Sequence, residues 1–205
     1  MKVPFVDLAV REPELRAQIL EAIGAVLDRG DYVLGAEVER FEQEFARYCG
    51  AAHAAGVSSG TSALVLALRA VGIGPDDEVI TVANSFLSTV SSILLAGARP
   101  VLVDVGEDEN IDVEAVRRAI GPRTRAVLAV DLRGYPAPMP ELAELTRAHG
   151  LRLVEDASQA HGARLGGEHV GAAADLACYS LHPLKNLPAP GDAGVVTSRD
   201  PELDR

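Results

Sequence analysis

A lysine stands alone in YSLHPLKNLPAPGDAGVV, the stretch from Tyr179 to Val196. Lys185 falls between an apolar run and a turn rich in Pro and Gly. An amine held in a partly desolvated place loses proton affinity and can form a Schiff base with an aldehyde. The plain alternative is a solvated loop lysine. Asp156, in LRLVEDASQAHGA, sits where another apolar run ends. A carboxylate there can pair with a cationic ring nitrogen or a metal, or it can simply open the following turn. Gln159 and His161 lie close enough to line the same crevice, although a lone histidine more often serves structure. His149, just before Gly150, reads as a helix C-terminal cap.

Two further stretches offer ligand chemistry. In VSSGTSALVLAL a strand ends, small residues turn the chain, and a helix begins near Thr61. The free N–H groups and the dipole of such a helix start favour an anion. Thr61 and Ser62 add hydroxyls, and Gly60 permits close approach. The alternative is an ordinary Ser/Thr cap. The same residues contain GVSSG, a G-x-S-x-G pattern with Ser58 in the nucleophile slot and Asp156 with His161 or His182 downstream. In NSFLSTV, Phe86 follows a strand end, where it can stack on a ligand ring or pack into the core.

The elements that must position these residues are legible as an alternation. HAAGVSS, DEVITVA, RPVLVDV, RAVLAVDL, LRLVEDA, DLACYSL and GVVTS are short, apolar and β-branched, with Gly, Pro or Asp at their borders. Helical periods separate most of them. Near-continuous apolarity implies strands buried on both faces, hence an α/β fold with a mostly parallel central sheet between helix layers. Ligands of such sheets bind beyond the carboxyl ends of the strands. That is where Asp156, Ser180 and His182 fall, with Lys185 one turn further on. Ahead of the alternation, EPELRAQILEAIGAVLDRG and AEVERFEQEFARYCG read as two amphipathic helices. After GVVTS, the residues RDPELDR turn and start what reads as another helix.

Bulk properties narrow the function. Hydrophobic residues make up 48% of the 205, but aromatics only 4%, so Ala, Val and Leu must build the core. A formal charge of −11 disfavours nucleic acid. No run approaches the roughly 18 apolar residues of a membrane span. The N-terminus does not read as a signal peptide. Cys49 and Cys178 have neither disulfide nor metal spacing, which fits a reducing cytoplasm and no metal site.

One ligand uses every feature at once: a phosphate for the helix start at Thr61, an aromatic ring for Phe86, a pyridinium nitrogen for Asp156 and an aldehyde for Lys185. That ligand is pyridoxal 5′-phosphate (PLP), whose protein requirement is a Schiff-base lysine with an Asp partner for the ring nitrogen. At this point the chain resembles the DegT/StrS-type sugar aminotransferases, fold-type I enzymes akin to aspartate aminotransferase. The resemblance runs through VPFVDL, YVLGAEVERFEQEFARYCG, VSSGTSALVLALRAVGIGPDDEVIT, VEDASQAHGA, SLHPLKNL and GDAGVV.

The resemblance implies a three-layer αβα PLP-dependent transferase-like large domain over 41–205, incomplete at its C-terminus. Residues 1–40 are then an N-terminal helical segment of the same domain. It implies Lys185 as the catalytic, cofactor-anchoring lysine and Asp156 as the pyridinium partner. Gln159 matches the contact on the ring's oxygen side and Phe86 the stacking aromatic. Thr61, Ser62 and Ser180 match the phosphate contacts, with Gly60, His161 and His182 beside the site. The implied reaction is a ping-pong transfer of an amino group from glutamate or glutamine to a keto-sugar, nucleotide-linked or cyclitol, in a homodimer. Ala83 and Asn84 depart from a usual Pro and aromatic, and Ala193 from a usual Gly. Family members are nearly twice as long, and their second domain completes the substrate pocket. Two other readings stay open: a catalytically inactive truncated PLP-fold protein that binds a partner, and a Ser58 hydrolase.

Overall fold

A computed structural model describes residues 3–200. The chain divides into two compact units, one up to Phe41 and one from Glu42. In the first, α1 (Pro13–Arg29) starts with Pro at its first turn. It ends on Gly30 in the left-handed region, whose N–H returns to the Val26 carbonyl. This is the Pro-in, Gly-out signature of a helix. None of its residues is buried, and its apolar Leu20, Ile23 and Leu27 are all about half exposed. Helix α2 (Ala36–Cys49) runs across the division and carries the buried Phe45, Ala46 and Cys49.

The larger unit follows the alternation. The elements are β1 (His53–Val57), α3 (Gly60–Ala70), β2 (Glu78–Val82), α4 (Leu87–Leu95), β3 (Arg99–Val103), α5 (Val113–Ala119) and β4 (Thr124–Val130). After these come α6 (Met139–His149), β5 (Arg152–Asp156), a hairpin of β6 (Arg164–Leu165) and β7 (Glu168–His169), β8 (Leu176–Ser180) and β9 (Gly194–Ser198). Seven strands form one sheet in the order β1-β9-β8-β5-β4-β2-β3. All are parallel except β9, which runs against both its neighbours. The expected α/β fold, a mostly parallel sheet in three layers, is therefore present. The helix expected after Asp200 lies outside the described residues.

Strand alternation sorts the apolar residues into two cores. Val79, Val154 and Leu176 join Leu64 and Leu68 of α3 and Ile93 of α4 on one face. Ile80, Val127 and Leu153 join Val116 of α5 and Leu142 and Leu145 of α6 on the other. Leu64 and Leu142 are wholly buried, and truncating either to Ala costs about 2–5 kcal/mol. Two closed faces leave only the strand ends for chemistry. His149 caps α6 as expected, its Nδ1 lying 2.9 Å from the Leu145 carbonyl ahead of left-handed Gly150.

Candidate active site

At the carboxyl ends of the strands a cavity of about 560 Å³ opens. Gly60, Thr61, Phe86, Asp156, Gln159, Ser180, His182 and Lys185 all line it. They arrive from the last residues of β5 and β8 and from the chain segments that follow β1, β2, β5 and β8, so the sheet is what brings them together.

Asp156 is the last residue of β5 and is almost wholly buried. Its Oδ1 accepts the Ser158 N–H at 3.2 Å and its Oδ2 the Thr89 hydroxyl at 3.4 Å. Burial raises its pKa; the Ser158 donors, the Lys185 charge and Thr89 pull it back down. A carboxylate burdened in this way gains most from a cation placed against it.

Lys185 is half-buried, and its ammonium makes no hydrogen bond or ion pair with the described residues. The turn that carries it is closed by local bonds. His182 N–H points to Ser180 Oγ at 3.4 Å, Leu184 N–H to His182 Nδ1 at 3.2 Å, and Lys185 N–H to the His182 carbonyl at 2.8 Å. His182 thus shapes the lysine turn as well as lining the cavity. Asn186 fastens the same loop, with Oδ1 2.8 Å from His161 Nδ1 and its Nδ2 donating to the His161 carbonyl at 3.0 Å. His161 itself is not among the lining residues; its ring packs 5.6 Å from that of Tyr179, and burial lowers its pKa.

The start of α3 completes the floor. Ser59, not Thr61, is the cap, its Oγ accepting the Ser62 N–H at 3.1 Å. Ser62 does not reach the cavity; its hydroxyl bonds to Ser58 and Ser59. Thr61, Ser59 and Ser180 do line it. Glycine is needed at two crossings here. A Cβ on Gly60 would stand 2.6 Å from Ser180 Cβ, and one on Gly194 would stand 2.4 Å from the Ser59 carbonyl oxygen. These contacts hold the helix start flush against β8 and β9. The helix start therefore forms part of the cavity wall, with Ser59 and Thr61 beside it. Phe86 stands at the N-cap position of α4, largely exposed, with its ring on the cavity wall.

The Ser58 alternative finds no triad. Ser58 is exposed and bonded to Ser62, while the two candidate histidines are engaged with Asn186 and Leu184. Sequence reasoning missed Arg133, Asn186, Ser59 and Asp192, all on the cavity wall. Only Ser59 carried a usable signal, as a serine directly ahead of a helical run.

An amine, a buried carboxylate, an aromatic face and an anion-binding helix start converge beyond a parallel sheet. Together they define an α/β protein with a polar cavity at the ligand edge of its sheet. The family follows from comparison. The model of the DegT/DnrJ/EryC1/StrS aminotransferase family matches residues 13–205, and the chain belongs to that family. It is 51% identical, over 98% of its length, to a dTDP-3-amino-3,4,6-trideoxy-alpha-D-glucose transaminase of Streptomyces venezuelae, covering 54% of that protein. It is 45% identical over 99% to a UDP-N-acetyl-3-dehydro-alpha-D-glucosamine 3-aminotransferase of Acidithiobacillus ferrooxidans, covering 55%.

Among solved structures, S. venezuelae DesV in complex with a ketimine intermediate superposes with a TM-score of 0.94 at 51% identity, over 98% of this chain and 54% of that one. Bacillus subtilis NtdA with bound cofactor PMP gives 0.92 at 32%, over 99% and 46%. The chain spans about half the length of the curated relatives it matches.

Proposed function

We propose that this chain is the cofactor-binding part of a PLP-dependent aminotransferase that moves an amino group from glutamate or glutamine to a keto-sugar, nucleotide-linked or cyclitol. The observation that carries the reading is the convergence of Lys185 and Asp156 on one cavity floored by the start of α3. Two of the relatives are named as nucleotide-sugar aminotransferases, which supports the sugar acceptor. PLP, when bound, supplies an aldehyde for amines and a ring that takes up electrons from the substrate carbon.

The chain's own residues divide the remaining work. Asp156 stays ionised against a protonated ring nitrogen, whose charge offsets the cost of its burial. Thr61, Ser180 and the α3 backbone hold the phosphate, with Ser62 and Ser59 fixing the helix start that presents it. Phe86 covers one ring face and keeps water from it. Gln159 turns Oε1 to the Arg133 N–H at 2.6 Å, leaving its amide N–H groups for the ring's oxygen side. Lys185 would hold the aldehyde, and its amine would serve as the base and acid for the proton at the substrate carbon. The same reading takes the protein as a homodimer.

The test is the visible absorption of the purified chain with added PLP, for wild type and Lys185→Ala, before and after borohydride. A band that appears only with Lys185, and that borohydride fixes on that residue, supports the reading. A folded wild type with no lysine-dependent band overturns it.

A further inference from the structure

Arg133 has no place in the chemistry so far, yet among the described residues it and Lys185 are the only Lys or Arg on the cavity wall. Arg133 also lines a second, smaller cavity of about 290 Å³, walled by Glu107, Asp108, Glu109, Asn110, Leu132 and Tyr135. It therefore stands at the rim where the two cavities meet.

Its backbone is held in an unusual state. Arg133 lies at φ 58°, ψ 18° and Gly134 follows at φ 81°. A left-handed residue with a long side chain persists only where its surroundings over-determine it. Here the Arg133 N–H is tied to Gln159 Oε1. Gly134 is pressed so close that a Cβ would meet the Gln159 carbonyl oxygen at 2.9 Å. The guanidinium itself is largely exposed and paired with Glu109 through Nη1. Glu109 is also left-handed, at φ 63°, and its carbonyl accepts Asn84 Nδ2 at 2.9 Å. Two fixed backbones thus hold one exposed ion pair on the wall of the smaller cavity, with Arg133 also on the wall of the larger. Exposed pairs are weak and exchange partners readily, whereas a guanidinium binds a planar carboxylate bidentately.

We infer that Arg133 binds a carboxylate of the amino donor, displacing Glu109, which serves as its counter-ion when no carboxylate is present. This deepens the aminotransferase reading and rests on it. In that reading Lys185 is committed to the cofactor aldehyde and the phosphate sits at α3. Among the described residues Arg133 is then the remaining lining cation for a substrate anion. The acceptor offers an anion too, if it carries a diphosphate. The acids at Glu107, Asp108 and Glu109 repel a diphosphate more strongly than a single carboxylate, which favours the donor.

The experiment is calorimetric titration of the PLP-loaded 205-residue chain with succinate, an unreactive dicarboxylate, and separately with inorganic pyrophosphate. The visible band is recorded on the same samples. Wild type binds succinate. Arg133→Gln weakens it about tenfold or more, the scale of one charge-assisted bidentate contact. Glu109→Gln, which removes the competitor, tightens it. Neither change alters pyrophosphate binding. Succinate binding that is absent in wild type, or indifferent to Arg133→Gln, overturns the assignment while a Lys185-dependent band leaves the aminotransferase reading standing. Loss of pyrophosphate binding instead of succinate binding moves Arg133 to the acceptor and overturns it too. A missing band in wild type overturns the aminotransferase reading and the donor assignment together.

Discussion

Strand β5 ends in two neighbouring carboxyl groups that meet opposite circumstances. Asp156 faces the α3–α4 side and opens on the large cavity, with Thr89 and Ser158 as donors and Lys185 on the same wall. Glu155 faces the other side and is sealed, with no exposed surface. Its Oε2 accepts the Gly171 N–H at 2.7 Å. Asp131, equally buried, accepts the Ala137 N–H at 2.9 Å through Oδ1. The remaining oxygens, Glu155 Oε1 and Asp131 Oδ2, are buried without a hydrogen-bond partner, and each carboxyl group lies in the field of the other. Two carboxylates in that position repel, which favours the protonated form of either. A buried acid with access to a cavity is available to a cationic ligand. A buried acid without access must keep a proton or find another acid.

The largest expected effect breaks the open side. Asp156→Asn keeps the shape and the acceptor oxygen but removes the charge. It should weaken PLP binding by about 3 kcal/mol, roughly a hundredfold, because a buried ionic partner is lost. Spectroscopic titration of PLP checks this, with circular dichroism showing the fold intact.

The next effect belongs to the sealed side and depends on pH. Burial raises the Asp131 pKa from 3.8 to about 6, and burial with Asp131 beside it raises that of Glu155. A carboxyl whose folded-state pKa is raised contributes stability that is complete below its unfolded value. That contribution is lost as pH rises through the folded value. Relative to Asp131→Asn, wild type should lose about 2 kcal/mol between pH 4 and pH 6. Urea unfolding of both proteins across that range measures the difference. A difference independent of pH would show that Asp131 titrates normally and that the two sides of β5 are alike.

A smaller effect sharpens the contrast on the open side. Thr89→Val removes a long hydrogen bond to Asp156 and should cost about 0.5–1 kcal/mol of stability, with a proportionate loss of PLP affinity. The smallest lies at the cavity floor. Ser59→Ala removes the α3 cap and should cost about 1 kcal/mol by thermal or urea unfolding.

The two sides of β5 also differ in how far they could be read in the sequence. Asp156 and Lys185 were legible because each follows an apolar run that can only be a buried strand. In a parallel sheet the residue after such a run faces the ligand edge. Glu155 sits in the same VED and offers no cue, since its partner Asp131 is on another strand. The β6–β7 hairpin went unread because its strands are two residues each, although Gly166–Gly167 is a turn signal that could have shown it. Ser62 read as a ligand contact because it is a hydroxyl at a helix start. Its side chain instead turns to Ser58 and Ser59. Arg133 lies in DLRGYP, which reads as an ordinary turn.

By itself the sequence determined the strands, the helices that cover them, the parallel architecture and the ligand edge. All of these follow from the period of apolar residues and from Gly, Pro and Asp at the borders, which are local properties of the chain. Tertiary structure alone decided which side chains meet. Lys185 shares a wall with Asp156, Asn186 fastens its loop to His161, Asp131 is buried beside Glu155, and Arg133 lines two cavities. Each of these depends on strand order and register, which bring together residues 24 to 29 positions apart in the chain, and local propensity carries no record of such pairings.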